Sequence, residues 1–405
     1  VNPDIPAFAD ATGWILSLVA LVAIVAVLVV AYRVGVSRGR RQAESEHTDR
    51  ALARQGERRH AAQAKEASVW PHAAPGSERV ALIINPVKND ADRALKGVRV
   101  ACAVRGWPAP LVLETSTEDP GEGQARAALK QGATLVVSAG GDGTVREISS
   151  VLADEDENPE HVPLGIIPLG TGNLLARNLG IDASKLDSKA LDAAIEAALD
   201  GRTRVIDTAR ITIEAPDGRV TEEVFLVMGG IGLDAEVIAA TNDDLKKRFG
   251  WLAYTDAGIR LLPGERKDVE ISIDGGPFHR TKVRSVLFAN LGKLPTGLDF
   301  IPGAEVDDGL LSIVTMSPRG VLGWAWIAAK TISRSSADIP VMKYEHAKRI
   351  AIRAAEPMGT QLDGDLSGEA VRLEARIRPR SLTVHVPPKT PGLLERLTLG
   401  DSGEG

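Results

Sequence analysis

Two glycine-rich turns, each set between an apolar run and a helical pattern, restrict what this chain can fold into more than any other feature. The first, Ser138-Ala139-Gly140-Gly141-Asp142-Gly143-Thr144, follows Thr134-Leu135-Val136-Val137, and Val145, Ile148, Val151 and Leu152 recur after it at helix spacing. The second, Pro168-Leu169-Gly170-Thr171-Gly172-Asn173, follows Leu164-Gly165-Ile166-Ile167 and leads into Leu174, Leu175 and Leu179. Strand, glycine turn, helix is the arrangement that points bare backbone N–H groups at an anion. A Cβ in such a turn would hinder both positive φ and close approach of the backbone to phosphate oxygens. Two such turns close together imply a polyphosphate held between them. Asp142 would repel a bare phosphate, so it suits a magnesium ion, a ribose hydroxyl or a hydroxyl nucleophile. The plainer alternative is an ordinary loop with Asp142 as a helix cap.

The surrounding pattern predicts an α/β domain with a parallel sheet. Arg79–Ile84 reads as a buried strand, followed by a helix near 90–105, a strand near 110–114 and a helix over 121–130. The two glycine turns come next, then a helix over Asp187–Asp200. Alternating strand and helix argues for a sheet covered on both faces. After residue 203 the period changes. Thr203–Ile213 and Val220–Val227 flank Pro216-Asp217-Gly218, a hairpin signature. Val269–Ile273, Thr281–Ala289, Leu310–Thr315, Arg349–Ala354 and Arg372–Ile377 are further strands, and Gly250–Leu262 reads as a helix. The second half is therefore expected to be a mainly antiparallel β-sandwich domain.

The N-terminus is different in kind. From Trp14 to Tyr32 no residue is charged, and Ile15–Val30 is almost wholly apolar. That length matches the ~20 residues a helix needs to cross a bilayer. Asp4 and Asp10 precede it, and Arg33, Arg38, Arg40 and Arg41 follow. The expectation is a single transmembrane helix over 13–34 in the inner membrane, N-terminus outside, the remainder cytoplasmic. A cleaved signal peptide would carry its positive charge before the apolar run instead. Residues 35–77 read as a charged linker with too few apolar side chains for a core.

Composition narrows the function. With 405 residues and 44% apolar content, the chain can bury a core in two domains. A net charge of −6 gives no basic footprint for nucleic acid. One cysteine, Cys102, excludes a disulfide framework and a cysteine metal cluster. The seven histidines show no ligand spacing.

The run Val136–Glu147 and the loop Pro168–Arg177 together resemble the diacylglycerol kinase catalytic-domain family of bacterial lipid kinases and sphingosine kinases. Asn85-Pro86, Gly230–Ala235, Pro302 through Val306-Asp307-Asp308-Gly309-Leu310, and Gln361-Leu362-Asp363-Gly364-Asp365 match in the family's order, covering about residues 78–390. The resemblance implies a nucleotide-binding domain over 78–203, completed by about 378–400, and a β-rich lipid-acceptor domain over 204–377. It implies ATP and Mg²⁺ as cofactors and a membrane lipid as substrate, most simply diacylglycerol going to phosphatidate. Asn85, Pro86, Lys88, the turn Gly140, Gly141, Asp142, Gly143 and Thr144, and Gly170, Thr171 and Asn173 would bind the nucleotide. Thr115 and Ser116 stand where the family has a nucleotide-contacting threonine, although capping before Pro120 explains them equally.

Asp363 and Asp365 are the candidates for the catalytic base, with Asp142 as the third catalytic carboxylate. The family has glutamate where Asp365 stands, so which of the pair acts stays open, and a polar turn accounts for the same letters. Asp308, with Glu305 and the carbonyl of Leu310, matches a metal position of the family, and a plain hairpin turn is the alternative. After Asn290 the family has a glycine-rich run where this chain reads Leu291–Gly297. A sphingoid base or another lipid alcohol therefore stays open as acceptor. An NAD kinase-like enzyme and a non-catalytic nucleotide-binding membrane sensor are the competing classes. A homodimer is compatible with the sequence.

Overall fold

The computed structural model describes residues 78–181, 188–232, 265–292, 304–319, 323, 326 and 339–388. Strands β1 (Val80–Ile84), β2 (Leu111–Glu114), β3 (Leu135–Gly140) and β4 (Leu164–Pro168) pair in parallel in the order β2-β1-β3-β4. Helices α1 (Ala91–Val104), α2 (Glu122–Lys130), α3 (Asp142–Leu152), α4 (Leu174–Asn178) and α5 (Ser188–Asp200) interleave with them or follow. The apolar runs of β1, β3 and β4 are continuous because both faces of the sheet are covered. Val80, Leu82, Leu135 and Val137 share one core with Ala94 and Val98 of α1 and Leu191 and Ile195 of α5. Ala81, Ile83 and Val136 point the other way, into a core with Ala125 and Ala128 of α2 and Val145 and Ile148 of α3.

The second half is antiparallel. Its strands are β5 (Arg202–Glu214), β6 (Val220–Phe225), β7 (Met228–Ile231), β8 (Lys267–Ile273), β9 (His279–Val283), β10 (Ser285–Ala289), β11 (Leu311–Met316), β12 (Met342–Ala347), β13 (Arg349–Leu362) and β14 (Asp365–Val386). They enclose a separate apolar core in which the Phe225 and Phe288 rings meet at 5.5 Å between centroids. Strand β14 links the two halves. It pairs with β13 and β5 antiparallel, and Val384 meets Leu164 of β4 in parallel.

Two strands run much longer than their apolar patterning suggests. The expected segments Arg349–Ala354 and Arg372–Ile377 are only parts of β13 and β14. Pro357 and Pro379 interrupt the pattern, and both sit within register shifts, between Arg353 and Met358 and between Arg378 and Leu382. Proline lacks a ladder donor, so a strand passes through it at a bulge rather than ending there. Thr281–Ala289, by contrast, divides at Arg284 into β9 and β10.

The inner-membrane placement is corrected. Among the described residues no helix is long and apolar enough to cross a membrane. The longest, α1, has 14 residues, short of the ~20 a crossing takes. The expected span 13–34, the linker 35–77 and the helix Gly250–Leu262 lie outside the described residues.

Candidate active site

The carboxyl ends of the four parallel strands meet on one edge, where open α/β sheets bind ligands. The N–H of Asn85, just after β1, donates to Ala139 O at 3.0 Å; Thr115, after β2, donates to Ile84 O at 2.9 Å; and Leu169, after β4, donates to Gly140 O at 2.8 Å. Asn85 Oδ1 accepts the Val87 N–H at 3.2 Å, which folds the Asn85–Lys88 loop over the first glycine turn. Pro86 is exposed on that loop. A Cβ placed on Gly141 would lie 3.9 Å from Lys88 Nζ, so this ammonium borders the turn. Thr115 is buried beneath the edge, and Ser116 Oγ accepts the Asp119 N–H at 3.1 Å in the turn before Pro120, without capping α2.

The two glycine turns touch. A Cβ on Gly170 would come within 2.7 Å of Gly141 Cα and 2.8 Å of Asn173 Oδ1, so only glycine permits this approach. The second turn is closed on itself. Asn173, left-handed at φ 49°, accepts the Gly170 N–H at 3.0 Å and donates to Gly170 O at 2.7 Å. Thr171 is exposed at its tip, and Arg177 Nε donates to Gly172 O at 2.7 Å.

Asp142 joins the turns. Its Oδ2 accepts the Asn173 N–H at 2.7 Å and its Oδ1 the Leu174 N–H at 2.5 Å. It thus caps α4 from across the site, a helix-capping role exercised on a helix other than its own. Burial pushes its carboxyl up to about 6, helped by Asp363 and Asp365 and opposed by the two N–H groups. The two turns therefore differ. The first amides of α4 are taken by Asp142, whereas no side chain caps α3, which begins at the first turn. The opening amides of α3 have no partners within their own helix and carry the positive end of its dipole.

The second pair of carboxylates arrives on a hairpin. Leu362 ends β13, Asp365 begins β14, and the two pair directly. Asp363 and Gly364 between them have φ of 48° and 90°, the pair of positive values a two-residue hairpin turn demands. The Asp363 side chain faces inward. Oδ2 accepts the Leu226 N–H at 2.9 Å, and Oδ1 accepts those of Val227 and Met228 at 2.8 and 3.0 Å. Burial raises its carboxyl, against the pull of these three donors. Asp365 faces the other way, its side chain half exposed. A Cβ on Gly143 would lie 3.8 Å from Asp365 Oδ2, so this carboxylate overlooks the open end of α3.

The expected metal loop forms a turn. Asp308 Oδ1 accepts the Leu310 N–H at 2.8 Å, Asp307 pairs with Arg204 at 2.9 Å, and Glu305 is exposed. Buried Asp207, which sequence reasoning missed, clamps this turn by accepting the Gly309 N–H at 2.7 Å and the Arg380 N–H at 2.6 Å. Among the described residues no three His, Cys, Asp or Glu side chains gather to hold a metal. Arg146 was also missed. Its Nη1 donates to Leu362 O at 3.3 Å and lies 3.9 Å from Asp365 Oδ2. Its contact is 216 residues away in sequence, and nothing local announces it.

Comparison with known proteins agrees with this architecture. Residues 79–211 match the family model described as diacylglycerol kinase catalytic domain, and residues 228–386 match the YegS C-terminal NAD kinase beta sandwich-like domain. A Pseudomonas fluorescens protein named "Probable lipid kinase YegS-like" is 30% identical over 322 residues, covering 78% of this chain and 98% of that one. A Bacillus subtilis protein named "Diacylglycerol kinase" is 30% identical over 248 residues, 60% of this chain and 76% of its own. A crystal structure of a diacylglycerol kinase from Bacillus anthracis shares the fold, with TM-score 0.55 and 22% identity over 78% of this chain and 99% of that one.

Proposed function

The chain belongs to the diacylglycerol kinase catalytic-domain family and is a lipid kinase, a phosphotransferase, and we propose that it moves the γ-phosphoryl group of ATP onto the free hydroxyl of diacylglycerol, giving phosphatidate. One observation carries the assignment of roles. Of three neighbouring carboxylates, Asp142 and Asp363 have both oxygens engaged by backbone N–H groups, and Asp365 alone faces the open end of α3.

In this mechanism the free amides of α3 and the ammonium of Lys88 cradle the polyphosphate, with Asn85 and the second turn bordering it. Asp365 receives the proton of the acceptor hydroxyl as its O–H bond breaks. The new bond joins that oxygen to the γ-phosphorus, the bond from the γ-phosphorus to the β,γ-bridging oxygen breaks, and ADP leaves. Asp142 and Asp363 work through position, the first holding the turns together and the second fixing the hairpin that carries Asp365. Mg²⁺ would enter with the nucleotide and spread charge off its phosphates.

The test is to incubate the full chain with labelled ATP and, separately, diacylglycerol, a sphingoid base and NAD. Label in phosphatidate is expected. Label in another acceptor with none in diacylglycerol overturns the substrate. Asp365→Asn should reduce kcat by about 10²–10⁴, the range for losing a general base.

A further inference from the structure

Three arginines, Arg126, Arg146 and Arg210, border a charged cavity of about 380 Å³ beside α3. Two are bound to its acids, Arg126 to Glu122 at 3.2 Å and Glu157 at 2.9 Å, and Arg210 to Asp154 and Glu222, each at 3.3 Å. Arg146 behaves differently. Its contact with neighbouring Glu147 is the longer, at 3.5 Å, and its other amino group turns out of the cavity to the Leu362 carbonyl. The guanidinium is mostly buried, with 15% of the side chain exposed, and it stands 3.9 Å from Asp365 Oδ2.

The hairpin is anchored on one side by Asp363, through the backbone at Leu226–Met228. On the α3 side, Arg146 ties it to the helix whose first turn is the phosphate cradle. We propose that Arg146 is a positioning residue, a strut that sets the distance between the Asp365 carboxylate and the amide cradle of α3. The proposal rests on Asp365 being the base. The planar guanidinium suits the task because Nη1 reaches the hairpin at Leu362 and Asp365 while Nη2 stays with Glu147 on α3, whereas an ammonium is a single point charge. Misplacing a catalytic group by about 1 Å costs on the order of 10²-fold in rate without changing what binds.

The test uses Arg146→Met, which keeps an apolar stem, Arg146→Gln, which keeps a donor for Leu362 O without the charge, and Arg146→Lys. Initial rates against ATP and diacylglycerol are measured beside Asp365→Asn, and thermal unfolding checks each fold. A strut predicts a 10–100-fold loss of kcat in Arg146→Met, KM for ATP within about two-fold of wild type, and recovery of at least about five-fold in Arg146→Gln or Arg146→Lys. If Arg146→Met unfolds, the Gln and Lys variants carry the same comparison against wild type, with kcat falling and KM for ATP steady. A rise in KM for ATP matching the fall in kcat, or wild-type kcat in folded Arg146→Met (in both the Gln and Lys variants where Arg146→Met unfolds), overturns the strut. Near-normal activity in Asp365→Asn instead overturns the base assignment, so the two failures are distinguishable.

Discussion

Asp363→Asn separates a structural carboxylate from a chemical one. In the native site two oxygens accept three backbone N–H groups, and Asp363 is buried. Asparagine has one acceptor oxygen. If it takes the place of Oδ1, it still serves Val227 and Met228, but its NH₂ then confronts the Leu226 N–H. One hydrogen bond to a charged acceptor is lost, about 1.5–3 kcal/mol, and a buried donor is left without a partner, about 1–3 kcal/mol. A net destabilisation of about 2–5 kcal/mol follows, because removing a charge that burial disfavours offsets part of these losses. At about 2–4 °C per kcal/mol, Tm should fall by roughly 4–20 °C. The protein that remains folded at low temperature should keep a larger share of its kcat than Asp365→Asn does. Scanning calorimetry and initial rates at 15 °C measure both quantities. A variant with wild-type Tm and no turnover would show that the Asp363 carboxylate acts in the reaction, and the clamp argument would fail.

Asp365→Asn should give the opposite pair, a Tm within about 2 °C of wild type, since its side chain is half exposed, and a kcat near background; a large Tm loss would make Asp365 structural. Gly170→Ala should drive the two turns apart, because its Cβ would press on Gly141 Cα at 2.7 Å, and raise KM for ATP at least ten-fold; an unchanged KM would mean the contact is irrelevant to the nucleotide. Asp142 gives a pH dependence of defined sign. Its carboxyl is raised to about 6 in the folded chain against 3.8 as the reference, so the native state favours the proton, and stability from this group is full below pH 4 and lost as pH rises through 6. Relative to wild type, Asp142→Asn should therefore gain on the order of 3 kcal/mol between pH 4 and pH 7 by denaturant unfolding; a difference flat with pH would refute the shift.

The parallel half of the fold was legible because each element carries its own punctuation. Buried strands such as Val80–Ile84 are continuous apolar runs, α1 repeats its buried residues Ala91, Ala94, Val98 and Ala101 at helix spacing, and the glycine turns mark the junctions. The full length of β13 and β14 was not legible, because proline reads locally as an end while a partner strand can carry the ladder past it through a bulge. The site divided in the same way. Loop letters located Asp142, Asp363 and Asp365, but their orientation depends on which backbone amides the fold delivers to them. The sequence points Asp142 at a ligand, a metal or its own helix, whereas it caps the helix of the other turn, 31 and 32 positions on. That contact also accounts for the pairing of the motifs. Gly170 lets the turns touch and Asp142 fastens them, so the two turns form one packed unit. A carboxylate that looked ill placed beside a phosphate is engaged by backbone amides, and in the proposed mechanism the uncapped positive end of α3 is what binds the anion.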